Sequence, residues 1–348
     1  MIKVLIVDDS RVAQEFLAHI LASDPSVQVA GVANNGEEAL KMVREKRPDV
    51  ITMDIHMPGM DGFEVTRAIM ETLPTPIVMV SASSTATEVA SSFRMLEAGA
   101  LALILRPPGI GQPGHEAAAR ELVQTVKLMS EIKVIRRIRP AARAGGAAPA
   151  APGPAEIQLV AIGASTGGPP ALHKILSALP RDLAAPVLIV QHIAAGFTAG
   201  FVEWLGGAAR FPVHIAAQGE LPLPGHAYVA PDGLHMGVSG GPHIELSDQA
   251  PENGLRPSVN HLFRSAARVL GPRAVGVLLT GMGRDGAEEL KAMKDKGAVT
   301  IAQDEASSVV HGMPGEAIKL GAATYILPPE GIASMLAGLI DKANGRNK

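Results

Sequence analysis

A serine stands in a glycine-rich turn in the second half of the chain, within the segment VAIGASTGGPPA at residues 160–171. A Walker-type phosphate loop needs a lysine after its glycines, and a dinucleotide-binding loop needs the spacing G-x-G-x-x-G. The segment has neither pattern. It does contain G-x-S-x-G, between an apolar run and a Pro-Pro pair suited to a first helical turn. Taken alone, the turn fits a structural role equally well, but it also predicts a nucleophilic Ser165 in a strained strand-to-helix turn.

A reactive serine needs a general base, and a histidine ends the next apolar segment, APVLIVQHI. In a parallel sheet, His192 would lie on the same edge as Ser165. Asp285, in the turn of LLTGMGRDGAEEL, can orient the imidazole and stabilise its cation. It also suits the N-cap of the helix that follows. We predict a triad of these three side chains, with the backbone N–H groups of Thr166 and Met282 as an oxyanion hole.

A second group of polar residues follows the strands predicted in the first half. Asp8 and Asp9 end the first strand and Asp54 ends the third, so three carboxylates should converge at one sheet edge. Clustered carboxylates suit a hard cation such as Mg²⁺, beside which one of them can accept a phosphoryl group. Ser81 and Arg106 end the fourth and fifth strands and offer a hydroxyl and a cation to phosphoryl oxygens. A single aspartate would be explained as a helix cap; the whole group predicts phosphorylation.

Alternating strand and helix signals must position both groups. Five apolar segments of the first half predict a flavodoxin-like, five-stranded parallel sheet: residues 3–7, 27–32, 50–53, 77–80 and 101–105. Five segments of the second half predict another doubly wound α/β domain: residues 159–162, 187–190, 274–279, 299–302 and 324–327. Short alternating runs with glycine and aspartate turns at residues 225–248 predict antiparallel hairpins within that domain.

Composition separates the two halves. Residues 140–156, PAARAGGAAPAAPGPAE, hold almost no large apolar side chain and predict a linker. An amphipathic helix precedes this linker. We therefore predict one domain at residues 1–120, a helix and linker at 121–155, and a second domain at 156–348.

Composition also excludes several classes of function. The chain has 348 residues, 47% of them hydrophobic, a formal net charge of -3 and no cysteine. Thiolate chemistry, disulfides and cysteine-based zinc sites are excluded, and the charge gives no sign of nucleic-acid binding. No apolar run approaches the roughly 18 residues of a transmembrane helix, and the start shows no signal-peptide pattern. We expect a cytoplasmic monomer that binds no nucleic acid.

The first predicted domain resembles response-regulator receiver domains in its motifs VDDS, DIHMPGMDG, VSAS and LRPP. The resemblance implies that Asp54 is the phospho-acceptor, that Asp8 and Asp9 help to hold Mg²⁺, and that Ser81 is the switch hydroxyl. Receivers typically have a lysine where this chain has Arg106. A planar guanidinium does not replace a compact ammonium conservatively. We therefore expect altered or weakened switching.

Nearly the whole chain resembles the CheB family of chemotaxis protein-glutamate methylesterases/glutaminases. The motifs are AIGASTGGP, QH, PGHAYVAP, RPSV, LLTGMGRDGA and TIAQDEASSVVHGMP. The resemblance implies a serine hydrolase that demethylates glutamates and deamidates glutamines of chemoreceptors, with no cofactor at the esterase site. The resemblance further implies that the chain meets membranes only through these membrane receptors. It also implies that the unphosphorylated receiver blocks this site until the chemotaxis histidine kinase phosphorylates Asp54. His311 and Met313 are expected near the rim of the active site, or else at a plain helix N-terminus.

Three alternative functions differ in the residues that each would need. A non-catalytic receptor-binding adaptor would need a broken triad, whereas Ser165, His192 and Asp285 are all present. A DNA-binding response regulator would need a basic recognition helix, which the slightly acidic chain does not show. A related esterase of a non-chemotaxis pathway stays open, because the sequence does not name the substrate.

Overall fold

A computed structural model describes residues 1–82, 86–132, 134 and 156–343. The chain divides into two compact units, Met1–Arg143 and Ala144–Lys348. The predicted linker at residues 140–156 lies outside the described residues except for Glu156. Among the helices of the described ranges, none combines the length and the apolar character needed to cross a bilayer.

The first unit is a parallel sheet covered by helices. Its strands are β1 (Ile2–Val7), β2 (Val27–Ala33), β3 (Val50–Met53), β4 (Ile77–Ser81) and β5 (Ala102–Leu105). Its helices are α1 (Arg11–Ala22), α2 (Gly36–Lys46), α3 (Gly62–Thr72), α4 (Ala86–Ala98) and α5 (His115–Ser130). The strand order is β2-β1-β3-β4-β5 and every pairing is parallel. The predicted flavodoxin-like sheet is thus confirmed.

Capping residues end the loops of this sheet and start the helices. The side chains of Ser10, Asn35 and Asp61 accept backbone N–H groups in the first turns of α1, α2 and α3. Each satisfies a donor that the first helical turn leaves free. The loops after β1 and β3, which hold the aspartates, are therefore fixed where they enter α1 and α3.

Helix α5 belongs to the first unit. It packs against α1 and against β3, β4 and β5, with Leu122, Val126 and Met129 buried. The boundary predicted at residue 120 falls inside this helix.

The second unit contains a seven-stranded sheet and a separate hairpin. The strands are β6 (Leu159–Ala164), β7 (Val187–Gln191), β8 (Val213–Ile215), β9 (Ala227–Val229), β10 (His235–Ser239), β11 (His243–Ser247), β12 (Ala274–Leu278), β13 (Val299–Gln303) and β14 (Tyr325–Leu327). The helices are α6 (Gly168–Ala178), α7 (Thr198–Ala208), α8 (Val259–Val269), α9 (Ala287–Asp295), α10 (Met313–Lys319) and α11 (Pro329–Ala343). The order β14-β13-β12-β6-β7-β9-β8 is parallel throughout.

The segment predicted as antiparallel hairpins divides between two sheets. β10 and β11 form the expected antiparallel pair. β9, in contrast, joins the main sheet parallel to β7 and β8, so the hairpin prediction is wrong for that strand. Three residues are too few to show a period, and the partners of β9 lie far away in sequence.

Helix α8 links the hairpin to the main sheet. Val259, Leu262, Phe263 and Ala266 are fully buried in one apolar core with residues of β10, β12 and α9. This packing fixes the N-terminus of α8 against the turn that follows β12, where Asp285 lies.

Candidate active site

The three residues of the predicted triad follow three neighbouring strands. Ser165 comes directly after β6, His192 directly after β7, and Asp285 in the loop after β12, with β6 between the other two strands. Ala164 pairs with Gln191, and the His192 N–H donates to the Ala164 carbonyl at 3.0 Å. Ser165 and His192 therefore lie side by side at the carboxyl edge. They follow β6 and β7, near the point where the strand order of the sheet changes direction.

His192 and Asp285 form the central contact of this site. His192 Nε2 lies 3.0 Å from Asp285 Oδ2, and the two side chains are 12% and 2% exposed. A carboxylate only accepts, so Nε2 carries the proton of the neutral ring and Nδ1 holds the free lone pair. Nδ1 is thus the nitrogen that can take a proton. Among the described residues, no hydrogen bond joins the Ser165 hydroxyl to the ring.

Asp285 is held by the N-terminus of α8. Oδ1 accepts the Ser258 hydroxyl at 2.8 Å and the Asn260 N–H at 3.1 Å, and Oδ2 accepts the Val259 N–H at 2.6 Å. Burial alone would raise the pKa of Asp285. The hydrogen bond and charge of His192, then the Val259 N–H and the Ser258 hydroxyl, outweigh burial and lower this pKa below its ordinary 3.8. The carboxylate is therefore kept ionised against the imidazole.

The alternative role of Asp285, as N-cap of the helix that follows it, is wrong. Gly286 is the N-cap of α9, at φ 85°, and no side chain caps that position. The Gly286 N–H donates instead to Asn260 Oδ1 at 2.7 Å. The hydrogen bonds between the two helix starts are therefore reciprocal. Asp285, just before α9, accepts from the first turn of α8, and Asn260, in α8, accepts from the start of α9.

The predicted backbone strain at Ser165 is also wrong. In the described chain, the non-glycine residues with positive φ are Arg47 and Asn253. Gly167, two positions after the serine, adopts φ 78° and makes the turn. A side chain there would be strained, and a Cβ would lie 2.5 Å from the Cβ of Val309. The second glycine of G-x-S-x-G, Gly167, adopts the left-handed conformation, and the serine does not.

The turn after β12 presses against the serine. A Cβ on Gly281 would lie 2.6 Å from Ser165 Cβ and 2.3 Å from Met313 Sδ, so only glycine fits there. Gly281 also forms an isolated parallel bridge with His311, and its carbonyl accepts the Met313 N–H at 2.9 Å. Met313 begins α10 and is buried. The expected helix N-terminus is therefore confirmed at Met313, and it lies beside the serine loop; the place of His311 and Met313 at the active-site rim stays a prediction.

The candidate oxyanion-hole donors lie on the two loops that meet here. Thr166 follows Ser165, and Met282 follows Gly281; both are half-buried. Among the described residues, neither N–H donates to a protein acceptor. Two unused backbone donors beside a nucleophile are suited to a developing negative charge. Their role stays a prediction.

The carboxylates of the first unit also come together. Asp8, Asp9 and Asp54 each offer a carboxylate oxygen, all within 4.8 Å of one another. Arg106 Nη2 donates to Asp8 Oδ2 at 2.9 Å and reaches Asp54 Oδ1 at 3.5 Å. The fifth predicted residue, Ser81, is buried at the end of β4, and its carbonyl accepts the Arg106 N–H at 2.7 Å.

Burial and mutual repulsion shift the pKa values of these carboxyl groups. Burial, and next the charge of Asp8, raise the pKa of Asp54 to about 6, against the charge of Arg106. Burial raises the pKa of Asp8 as well, although the Ser10 N–H and Arg106 oppose it. Negative charge is therefore costly at this edge, and one guanidinium compensates it only in part.

Comparison with known proteins decides the family. The CheB methylesterase family profile matches residues 160–336, and that of the response regulator receiver domain matches residues 4–111. The chain belongs to the CheB family. The CheB relatives from Nitrosospira multiformis and Syntrophus aciditrophicus are 56% and 57% identical to it, over 98% and 97% of this chain and 97% and 98% of their own. The first is named protein-glutamate methylesterase/protein-glutamine glutaminase, and the second bears that name with the number 1.

A solved CheB structure supports the fold of the second unit. The crystal structure of the Thermotoga maritima CheB methylesterase catalytic domain superposes with a TM-score of 0.51 at 35% identity, covering 53% of this chain and 98% of that one. The predictions of a two-domain α/β fold and of a receiver-linked methylesterase are thereby confirmed.

The acidic edge of this CheB receiver fits Mg²⁺ by the chemistry of its donors. Three carboxylates offer hard oxygen ligands, of the kind that Mg²⁺ prefers, within 4.8 Å of one another. The raised pKa of Asp54 shows that added positive charge would be favourable there. Asp8 Oδ2 is the oxygen already engaged by Arg106.

Sequence reasoning missed several residues that shape this CheB active site. They are Gln191, Ser258, Asn260 and Thr280, the last of which donates its hydroxyl to the Thr166 carbonyl at 2.9 Å. Signals for two of them were present. Gln191 is a polar residue at the end of a buried strand, and Ser258 precedes an amphipathic helix as an N-cap does.

Proposed function

We propose that this chain hydrolyses methyl-esterified glutamates, and deamidates glutamines, on chemoreceptors, and that phosphorylation of Asp54 increases this activity. Family membership supports the methylesterase chemistry, and the names of the relatives support both reactions. The single observation that carries the proposal is the 3.0 Å contact between His192 Nε2 and Asp285 Oδ2 at the carboxyl edge that also holds Ser165. An adaptor without activity would have no need for a buried, ionised carboxylate against this imidazole.

Acylation uses Ser165 as the nucleophile. Its Oγ attacks the side-chain carbonyl carbon of the substrate, and His192 Nδ1 takes the hydroxyl proton. Asp285 stabilises the imidazolium through Nε2–H. The N–H groups of Thr166 and Met282 stabilise the oxyanion. When the tetrahedral intermediate collapses, the carbon–oxygen bond to methoxide breaks, and His192 returns the proton so that methanol leaves.

Deacylation repeats these steps with water. His192 removes a proton from the attacking water, the ester bond to Ser165 breaks, and the serine recovers its proton. A glutamine substrate follows the same route, with ammonia in place of methanol as the leaving group. Both reactions leave a glutamate side chain, and neither requires a cofactor at Ser165.

Regulation is assigned to the receiver, which includes α5 and so extends past the boundary predicted at residue 120; the linker follows it, and the catalytic domain is placed at residues 156–348. The chemotaxis histidine kinase is the proposed phosphodonor, and the Asp54 carboxylate the acceptor. Asp8, Asp9 and Asp54 would hold Mg²⁺, which when bound offsets the negative charge that accumulates during phosphoryl transfer. Ser81 and Arg106 contact the phosphoryl oxygens in this proposal.

Methanol release from receptor-bearing membranes tests the reaction. We expect Ser165→Ala to abolish release from membranes that carry methylated chemoreceptors. Ser177→Ala is the matched control, because its hydroxyl donates to the Lys174 carbonyl on α6, away from the three active-site loops. Turnover retained in Ser165→Ala would reject the triad. A wild-type chain that hydrolyses a small methyl ester but releases no methanol from these membranes would point to another protein substrate.

A further inference from the structure

Gln191 lies between the nucleophile and the base. It ends β7 and is 4% exposed. Its Nε2 donates to the Ser165 carbonyl at 2.9 Å and to the His192 carbonyl at 2.9 Å. One amide group thus holds the main chain of both residues, and the mechanism above gives it no part.

The bond to the Ser165 carbonyl fixes the direction of the next N–H. The carbonyl of Ser165 and the N–H of Thr166 belong to one peptide plane, and in a trans peptide they point in opposite directions. The one cis peptide in the described chain is Arg256-Pro257. Holding this carbonyl toward Gln191 therefore keeps the Thr166 N–H pointing away from Gln191, and that N–H is a proposed oxyanion-hole donor.

We propose that Gln191 is a positioning residue that prevents the Ser165–Thr166 peptide from rotating and so keeps the oxyanion hole assembled before substrate binds. This inference rests on the proposed function. Rotation of the peptide would remove one donor and would turn a carbonyl oxygen toward the developing negative charge. The same Nε2 also holds the backbone of His192.

Its contacts fix the orientation of the Gln191 amide, because both are carbonyl oxygens and only the NH₂ group can donate to them. Gln191 Oε1 is buried and has no hydrogen-bond partner among the described residues. A Cβ on Gly168 would lie 2.2 Å from this oxygen, so the absence of a side chain there leaves room for the amide. An unpaired buried oxygen is unfavourable for folding. The fold tolerates it in order to place two donors on the active-site backbone.

A second donor limits the expected effect of substitution. The Gly168 N–H also donates to the Ser165 carbonyl, at 2.8 Å, as the turn leads into α6. Removing the Gln191 amide therefore loosens the peptide without freeing it. The loss of activity should be smaller than the roughly 10²- to 10³-fold loss that follows removal of an oxyanion-hole donor itself.

Gln191→Met in the full-length chain tests the proposal, because methionine keeps the length of the side chain but cannot donate. We expect kcat for methanol release from methylated receptor membranes to fall about 10- to 100-fold, with KM changed less than about 2-fold. Rates are expressed per serine labelled at completion by a fluorophosphonate, so that misfolded chains are not counted. Thr300→Val is the control, since this buried hydroxyl bonds to Ala322 and Thr324, residues that are not part of the three active-site loops.

A purely structural role for Gln191 predicts a different result. Gln191→Met would then lower the unfolding midpoint as Thr300→Val does but keep the wild-type kcat per labelled serine, and that outcome overturns the proposal. A rise in KM of about 10- to 100-fold with kcat unchanged would also overturn the proposal. Failure of the proposed function is distinguishable, because the wild-type chain itself would then release no methanol above the Ser165→Ala background.

Discussion

The Asp285 carboxylate contacts both the proposed catalytic base and the start of a helix. Its two oxygens accept from the Ser258 hydroxyl, two N–H groups of α8 and the His192 ring. A buried charge with four donors is stabilised in its ionised form, as the lowered pKa shows. In the proposed mechanism, the start of α8 therefore stabilises the negative charge that the imidazolium needs before any substrate binds.

Replacing this carboxylate should disable the base. In Asp285→Asn we expect kcat for methanol release to fall on the order of 10³- to 10⁴-fold, because the amide neither stabilises the imidazolium nor enforces the Nε2–H tautomer. Asp295→Asn is the matched control, since Asp295 is a solvent-exposed residue paired with Lys291 on α9. A loss of less than tenfold in Asp285→Asn would exclude Asp285 from the triad.

The lowered pKa of Asp285 also predicts a pH dependence of stability. A carboxyl group with a lower pKa in the folded state stabilises the fold above its unfolded pKa, near 3.8, and this contribution is lost as the pH falls through the lowered value. The difference in unfolding free energy between wild type and Asp285→Asn should therefore be largest near pH 7 and shrink below pH 3.8. Urea unfolding at a series of pH values measures it, and a difference independent of pH would contradict the ionised assignment.

Arg106 sets the strength of the receiver switch in our interpretation. Its guanidinium bonds Asp8 Oδ2 and approaches Asp54, while its Nε is buried with no hydrogen-bond partner among the described residues. We expect Arg106→Lys to increase the stimulation of methanol release by acetyl phosphate, because a compact ammonium leaves Asp8 Oδ2 more accessible to Mg²⁺. Arg67→Lys, at an exposed ion pair on α3, is the control. Equal stimulation of wild type and Arg106→Lys would show that the guanidinium switches normally.

At the scale of the elements, the loop after β12, the serine loop after β6 and the start of α10 pack directly against one another at Gly281. In Gly281→Ala the new methyl group would overlap Met313 Sδ and Ser165 Cβ, so the serine loop or α10 must move. We expect a loss of about 1–3 kcal/mol in unfolding free energy and a fall in kcat. Gly338→Ala on α11 is the matched control, because no atom lies within 4 Å of its added Cβ; it should stabilise by roughly 0.5–1 kcal/mol. Wild-type activity in Gly281→Ala would mean that the close packing at Gly281 does not hold the serine loop in position.

The elements that the sequence predicted well are those with long, local patterns. Buried strands such as β1 and β6, and the loops at their carboxyl ends, follow from apolar runs that end in polar residues. β8 was missed and β9 was assigned to an antiparallel hairpin, because the sequence of a three-residue strand does not report which strands it pairs with. Gln191 and Ser258 were missed for another reason: their partners, Ser165 and Asp285, lie 26 and 27 residues away, and no local pattern reports such contacts.

At the scale of the whole molecule, the two units can be followed separately. The chain has one tryptophan, Trp204, and two tyrosines, Tyr228 and Tyr325, and all three lie in the second unit. Trp204 is buried on α7. Its fluorescence therefore reports unfolding of the catalytic unit alone. It is the suitable probe for the stability measurements above, because a two-domain chain need not unfold in one step.

Phosphorylation links the two units in the proposed function. We expect Asp54→Asn to abolish the stimulation of methanol release by acetyl phosphate, because an amide cannot form an acyl phosphate. Asp49→Asn, at an exposed carboxylate that accepts the Lys3 N–H, is the matched control. Stimulation that survives in Asp54→Asn would move the phosphorylation site to another residue.

Inhibition by the receiver makes a separate prediction, because an inhibitory domain lowers activity even without a phosphodonor. A chain that begins at Glu156 keeps every described residue of the catalytic unit, including its own apolar core. Without phosphodonor, we expect it to release methanol about 5- to 150-fold faster than the full chain, the range that typical coupling free energies produce. Serine labelling and the Trp204 unfolding midpoint verify that both chains are folded. Equal rates per labelled serine would exclude inhibition, and phosphorylation of Asp54 would then have to act by promoting the catalytic unit instead of releasing it.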